Sequence, residues 1–509
     1  MSRQIRVRRS GLITFAIKLA STLTGFAFIV LVTSNLSQSD FGLWQLISRL
    51  IGYVIFPANL LAFWTTRYRA RGIILGKSVL VAATIFSAAL LVCYLILSYF
   101  VSGSLTTQAG TESNFYYFLI STPQVPLYIF AGVIEAILWG SVPERASFGF
   151  GIFEIAKVII GAVTVAVFHL SLTGAIIAIM GAQMVQIITT LIMTPSEYGD
   201  HFSFAIISKM VRTGWVALLS QLQPLVNNFD FLIVAIITGS TIPLALFGAA
   251  FTYGAIVSYS NWIAFGLYAG ILAGVDPKKS ANQVLELQYL FTIPLVIGEI
   301  LLAFPLLHLF KADYTQAVPI LIILAVAYAL NSFSLTFDNI ISGTDITDVS
   351  NRVDFSLYLK SKIFQVARIN IVITAAYLVI LSISTLIISS GPVIIFGYQK
   401  YTFIGIIWAI AALGMWSAGV ALKLPYVTKI TKLRIPARNA VALLAGTVGF
   451  TFVLFLLTKL VTIHGGEVMQ AIYIIGIGAT SLAVYGGIIF LISHEMRSLA
   501  KQGLASLFG

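Results

Sequence analysis

The sequence predicts an all-α, polytopic membrane protein of about fourteen transmembrane helices. Three observations carry this reading. Of the 509 residues, 59% are hydrophobic and 9% charged, with a mean hydropathy of +0.98, far from the balance of a water-soluble domain. Apolar runs of the length a bilayer demands, about 17 to 25 residues, recur along the chain and leave no polar stretch for a soluble domain. Lysine and arginine, finally, fall on alternate connections between those runs, as the positive-inside rule requires.

Taken in order, the runs are 11 to 32, 41 to 64, 78 to 101, 115 to 139, 147 to 168, 172 to 194, 215 to 238, 245 to 273, 287 to 309, 317 to 341, 370 to 389, 402 to 422, 440 to 462 and 470 to 493. Each is bounded by charge, Gly or Pro. The N-terminal "MSRQIRVRRSG" resembles the start of a signal peptide, but the run after it is long and lacks a small-residue cleavage site. It is expected to stay as the first helix.

The basic residues test this count. Of the 30 lysines and arginines, 24 lie at the N-terminus, on even-numbered connections or at the C-terminus. The largest groups are Arg3, Arg6, Arg8 and Arg9; Arg67, Arg69, Arg71 and Lys77; Arg352, Lys360, Lys362 and Arg368; and Lys423, Lys429, Lys432, Arg434 and Arg438. The odd connections hold Lys311, Lys400 and Lys459, and Lys18, Arg49 and Lys157 sit inside runs. Both termini are therefore expected to be cytoplasmic, in a multi-pass protein of the plasma (cell) membrane. The net charge of +12 is a topology signal, and nucleic acid is not an expected partner.

The connections are short. The longest outer one, "SGSLTTQAGTESN", has no room for a folded domain, which disfavours a membrane glycosyltransferase needing a catalytic outer loop. The largest inner one, residues 343 to 369, reads as an interfacial amphipathic helix. The single cysteine, Cys93, lies in an apolar run, so it forms no intrachain disulfide or cysteine metal site and is expected to serve packing.

An internal echo suggests two halves. "SDFGLWQLISRLIGYV" and "ALFGAAFTYGAIVSYS" each place Phe-Gly, Phe41-Gly42 and Phe247-Gly248, after a short uncharged outer turn. Duplicated bundles that rock against each other are a common transporter plan.

Three segments carry a family resemblance: "SNLSQSDFGLWQLISRLIGYV", "NNFDFLIVAIITGSTIPLALFGAAFTYG" and "LHLFKADYTQAVPILIILAVAYALNSFSLTFDNIISGTD". Over nearly its whole length the chain resembles a polysaccharide-biosynthesis flippase of the Wzx type. That family belongs to the superfamily that also holds multidrug and toxin extruders and the peptidoglycan-precursor flippases. Lys311 stands where the pattern usually has Gly, and Phe231 where it often has Arg. The resemblance implies two pseudo-symmetric six-helix bundles, residues 1–200 and 201–435, followed by a C-terminal helix pair and tail, 436–509. It further implies a central cavity opening alternately to either side, and transport of an isoprenoid-linked oligosaccharide rather than enzyme chemistry. The expected partners are that lipid-linked oligosaccharide, the membrane lipids and, in assembly, a polymerase or glycosyltransferase. No cofactor or metal is implied, and H⁺ or Na⁺ is the candidate driving ion.

Ionisable groups inside the runs are the chemistry on offer, because each costs about 2.5–3.5 kcal/mol in a helix centre unless paired or facing water. Lys18 lies about 10 Å into the first run, where snorkelling competes with a functional role. Arg49 and Asp230 both lie about 12 Å from the outer ends of their runs, which allows a pair. Gln223, Asn227 and Asp230 share one face at i, i+4, i+7, and such a stripe lines water more often than it packs dry. Pro57 and Pro224 are candidate bends. Glu154 and Lys157, one turn apart, are expected to neutralise each other. Glu299, at mid-membrane, is either a coupling-proton carrier or a hydrogen-bonded neutral acid. Glu135 and Asp338 read as interfacial, and His308 and His464 as solvated.

The candidate cavity residues are thus Lys18, Arg49, Gln223, Asn227 and Asn261, and the candidate coupling or gating residues are Asp230, Glu299, Glu154 and Lys157. Cations neutralise phosphate while amides replace the hydration of a glycan. A drug/cation antiporter of the same superfamily would favour acids over these cations, and a non-transporting scaffold would not need buried charges.

Overall fold

The computed structural model describes residues 21, 24–25, 27–70, 72–105, 111–198, 202–212, 228–258, 260–261, 276–344, 359–431, 437–460 and 467–493. Inside a bilayer no water is available to backbone N–H and C=O groups, so each run must satisfy them within itself, and a helix does so. Eleven helical stretches among the described residues are long and apolar enough to cross a membrane: Gln38–Arg69, Gly76–Ser104, Asn114–Ser141, Arg145–Val167, Ser171–Met193, Val284–His308, Ala312–Gly343, Phe364–Ser389, Lys400–Ile430, Asn439–Leu460 and Tyr473–Ile492. Each falls on one of the expected runs. Two shorter apolar helices, Phe229–Thr238 and Ile242–Ser258, occupy the seventh and eighth. Of the first run, residues 21, 24–25 and 27–32 are described and helical, the last in a helix that continues to 35.

The chain divides into two compact units, Met1–Ala245 with Thr385–Ser390, and Leu246–Ser384 with Gly391–Gly509. In the first, α1 (Gln38–Ile55) and α2 (Asn59–Ala70) are parted by a 3₁₀ turn at Phe56–Ala58. Pro57 stands at the start of that turn and produces the expected interruption, since its ring removes a helical donor. There follow α3 (Gly76–Ser104), α4 (Thr111–Ser121), α5 (Gln124–Ser141), α6 (Pro143–Gly161), α7 (Ser171–Met193), α8 (Phe204–Arg212) and α9 (Phe229–Thr238). α10 (Ile242–Ser258) leads into the second unit, which continues with α11 (Pro277–His308), α12 (Val318–Gly343), α13 (Lys362–Ser389), α14 (Lys400–Ile430), α15 (Ala437–Leu460) and α16 (Glu467–Ile492). A two-residue hairpin between α13 and α14 pairs Ile394–Ile395 with Tyr398–Gln399. Phe396 and Gly397 both have positive φ at its tip, the backbone that a tight two-residue hairpin needs.

Lipid tails are as apolar as leucine, so helices in a membrane associate through close packing and interhelical hydrogen bonds. The first Phe-Gly shows both. A Cβ added to Gly42 would lie 2.0 Å from the Thr241 carbonyl oxygen, so no side chain fits there. Beside it the Thr241 hydroxyl donates to the Ser39 carbonyl at 3.0 Å. Phe41 is fully buried. In the second Phe-Gly the ring does the work: Phe247 stacks on Trp408 with centroids 3.8 Å apart.

Two expectations are corrected. Residues 362–369 do not form a separate interfacial helix but are the first turns of α13; an apolar span follows without a break, so the helix simply continues. Residues 345–358 lie outside the described residues. Cys93 does not pack inward; it is exposed on α3, one of the residues by which that helix meets its surroundings.

Candidate functional site

The N-cap Ser37 starts α1 by accepting a hydrogen bond from the Asp40 amide at 3.1 Å, which satisfies one of the donors a helix start leaves open. From there the helix carries Arg49 down a face whose neighbours Leu46, Ile47, Leu50 and Ile51 are all buried. Arg49 itself is partly buried. Its guanidinium donates to the side-chain oxygen of Asn228 and lies over the Phe231 ring, 4.7 Å from the centroid. One turn on, Tyr53 stacks against Phe229 at 4.9 Å. Asp230, buried between these residues, accepts the Phe231 amide at 2.7 Å.

The segment 228–231 thus closes around Arg49 with an amide below and a ring against the cation. Cation–π contact of this kind stabilises by about 0.5–2 kcal/mol. Phe231, the departure from the resembled pattern, is the residue that makes it; an Arg at this position would set two cations side by side. Equal depth gave the sequence-level case for bringing Arg49 and Asp230 together, and the structure brings Arg49 to the residues on either side of Asp230. Lys18, Gln223, Pro224 and Asn227 lie outside the described residues.

Glu154 and Lys157 pair as expected. The Lys157 ammonium lies 2.9 and 3.0 Å from the two carboxylate oxygens, with the rings of Phe28 and Phe153 at 5.3 and 5.1 Å. The Thr24 hydroxyl donates to Glu154 at 3.2 Å, so the pair also fastens α6 to the segment preceding α1.

In the second unit, Asn261 joins a buried network. Thr336 donates to Asn261 at 3.2 Å and to Gln288 at 2.8 Å; Gln288 donates to Ser332 at 2.7 Å, and Thr292 to Ser260 at 2.9 Å. Gln288, Ser332 and Thr336 are fully buried. Glu299 lies on α11 between two helix-interior prolines, Pro294 and Pro305. It is buried against the Val257 backbone, and neither carboxyl oxygen makes a well-formed hydrogen bond among the described residues.

Sequence reasoning missed the cation most deeply buried among the described residues. Lys423, counted with a cytoplasmic connection, lies inside α14 and is 1% exposed. Its ammonium is 2.7 Å from the Asp338 carboxylate and donates to the Ser334 hydroxyl at 2.8 Å, while Asn370 donates to Asp338 at 3.1 Å. Asp338, half-buried, is accordingly part of an ion pair joining α12, α13 and α14. A signal was available in "NSFSLTFDN": Ser332 and Thr336 share one face of α12, and Ser334 and Asp338, also four apart, share the opposite one. The first face meets Gln288 and the second meets Lys423. Arg69 likewise pairs with buried Glu197, at 2.5 Å.

No family model matches this sequence, and no curated protein does either. Solved structures do. The lipid II flippase MurJ in an inward closed conformation superposes with a TM-score of 0.64 at 15% identity, covering 94% of this chain and 99% of the flippase. A multidrug resistance MATE family transporter of the MOP superfamily, inward-facing, gives 0.61 at 15% identity over 82% of this chain and 98% of the transporter. An outward-facing MATE transporter of the MOP superfamily gives 0.53 at 14% identity over 84% and 95%. The chain has the fold of these transporters.

Proposed function

We propose that this protein is a flippase that moves an isoprenoid-linked oligosaccharide from the cytoplasmic to the outer face of its membrane by alternating access, for the assembly of a surface polysaccharide or glycoprotein. The observation that supports this most is Arg49, a cation kept at membrane depth by an amide and a ring, on a fold shared with a lipid II flippase. An anionic pyrophosphate head is the ligand such a cation suits, through charge-assisted hydrogen bonds. In this reading the phosphate competes with the Asn228–Asp230 segment for Arg49, and that competition loosens α1 from α9 during transport.

The test is translocation of a fluorescent lipid-linked oligosaccharide in proteoliposomes, with and without a proton or Na⁺ gradient. Arg49→Gln and Asp230→Asn are each expected to slow transport at least about tenfold, the loss of one charge-assisted contact. Wild-type rates in both variants would overturn the assignment. A second reading, extrusion of a cationic drug as in the multidrug neighbours, is favoured by one observation, the buried Glu299. Drug efflux that Glu299→Gln abolishes, with no oligosaccharide movement, would establish it.

A further inference from the structure

Three helix ends in the second unit wall a groove of about 500 Å³. α11 contributes Leu301, Phe304 and His308; α15 contributes Phe455 and Lys459; α16 contributes Gln470. Its two long walls are built alike. His308 stacks on Phe304, four residues earlier, at 5.9 Å, and the Lys459 ammonium lies 5.9 Å from the centroid of Phe455, also four residues earlier. Phe304 and Phe455 are 60% and 55% exposed. Each wall thus offers an open apolar ring toward the middle of the helix and a nitrogen donor at its end.

That ordering matches a phospholipid, with chains along the rings and the headgroup phosphate at Lys459 and His308. Lys459, in the last turn of α15, is also one of three cations at the odd connections or the helix ends beside them, against 24 on the other side. A lysine placed against the positive-inside bias has a local reason for being there, and basic pockets between transmembrane helices are a recurrent way of holding anionic headgroups. We infer that this groove binds an anionic bilayer phospholipid, which is not the transported cargo.

The test is lipid retention by the purified full chain, read by native mass spectrometry after exchange into neutral detergent with equimolar phosphatidylglycerol and phosphatidylcholine. The wild type is expected to retain phosphatidylglycerol preferentially. Lys459→Gln should lower that retention about fivefold, the worth of one cation at an anionic surface, and Lys459→Arg should restore it. His308→Gln should reduce it less. Both residues are exposed, so an unchanged elution profile will show that the variants fold. Equal retention of the two lipids, or no response to Lys459→Gln, would overturn the inference, since these residues would then merely complement the C-terminal dipoles of their own helices. Displacement of the phospholipid by millimolar inorganic phosphate would also overturn it, by marking a free-anion site. Displacement by lipid-linked oligosaccharide at a lower concentration than by phosphatidylglycerol would instead make the groove a cargo subsite.

Discussion

Arg49 in the first unit and Lys423 in the second are held by different described partners. In the first, the described partners of Arg49 are an amide and an aromatic ring, Asn228 and Phe231, and the side chain is partly buried. In the second, Lys423 is 1% exposed and faces a carboxylate, with a hydroxyl beside it. The second arrangement cancels charge inside the protein and ties three helices together. Around Arg49 the described groups are an amide and a ring, which a phosphate displaces in the function proposed above. Under the proposed function, burial alone does not mark a transport residue; the partners of each cation separate the two.

Breaking the scaffold side should give the largest effect. Lys423→Met leaves the half-buried Asp338 without its ammonium, and removing one member of such a pair costs up to about 3–5 kcal/mol. A large fall in the thermal midpoint by fluorescence-detected size exclusion is expected, with much of it recovered in the double variant Lys423→Met/Asp338→Leu. No recovery would show that the pair has a role beyond packing. Next in size is Gly42→Ala, whose added methyl meets backbone rather than a movable side chain; overpacking of this kind costs about 1–3 kcal/mol, and the same assay reads it.

On the other side of the comparison, Arg49→Gln should leave the thermal midpoint within a few degrees of wild type while slowing translocation. Collapse of stability in this variant would move Arg49 into the same class as Lys423. The smallest effect belongs to Phe231→Leu, which keeps the bulk and removes the ring beneath the guanidinium. A loss of about 0.5–2 kcal/mol is expected, visible as a modest fall in the midpoint. Phe231→Tyr should be close to neutral.

Spans were legible in the sequence because a bilayer imposes a length and excludes unpaired backbone, so the helices fall on their apolar runs. Their ends were less so. A run is closed at its first charge, and α14 continues past Leu422 to Ile430, carrying Lys423 inside the protein with its partner 85 residues earlier in the chain. No local pattern on α14 reports that partner; the polar faces of α12 do, once Ser334 and Asp338 are read together. At the site, spacing gave the depth of Arg49 and Asp230 but not which neighbours of Asp230 the guanidinium would meet. Phe231 was visible as a departure, and its purpose became visible only with Arg49 above it. Glu154 and Lys157 were readable because both partners sit on one helix turn.

The exposed thiol of Cys93 makes the natural chain a ready-made single-label protein. With one cysteine in 509 residues, exposed on a membrane-spanning helix, a lipid-soluble maleimide or nitroxide should modify one position without any background substitutions. A spin label there reports immersion depth through its collision rate with oxygen. Adding one engineered cysteine elsewhere gives a distance pair, so motions during the proposed transport cycle can be followed in a protein that differs from wild type at a single residue.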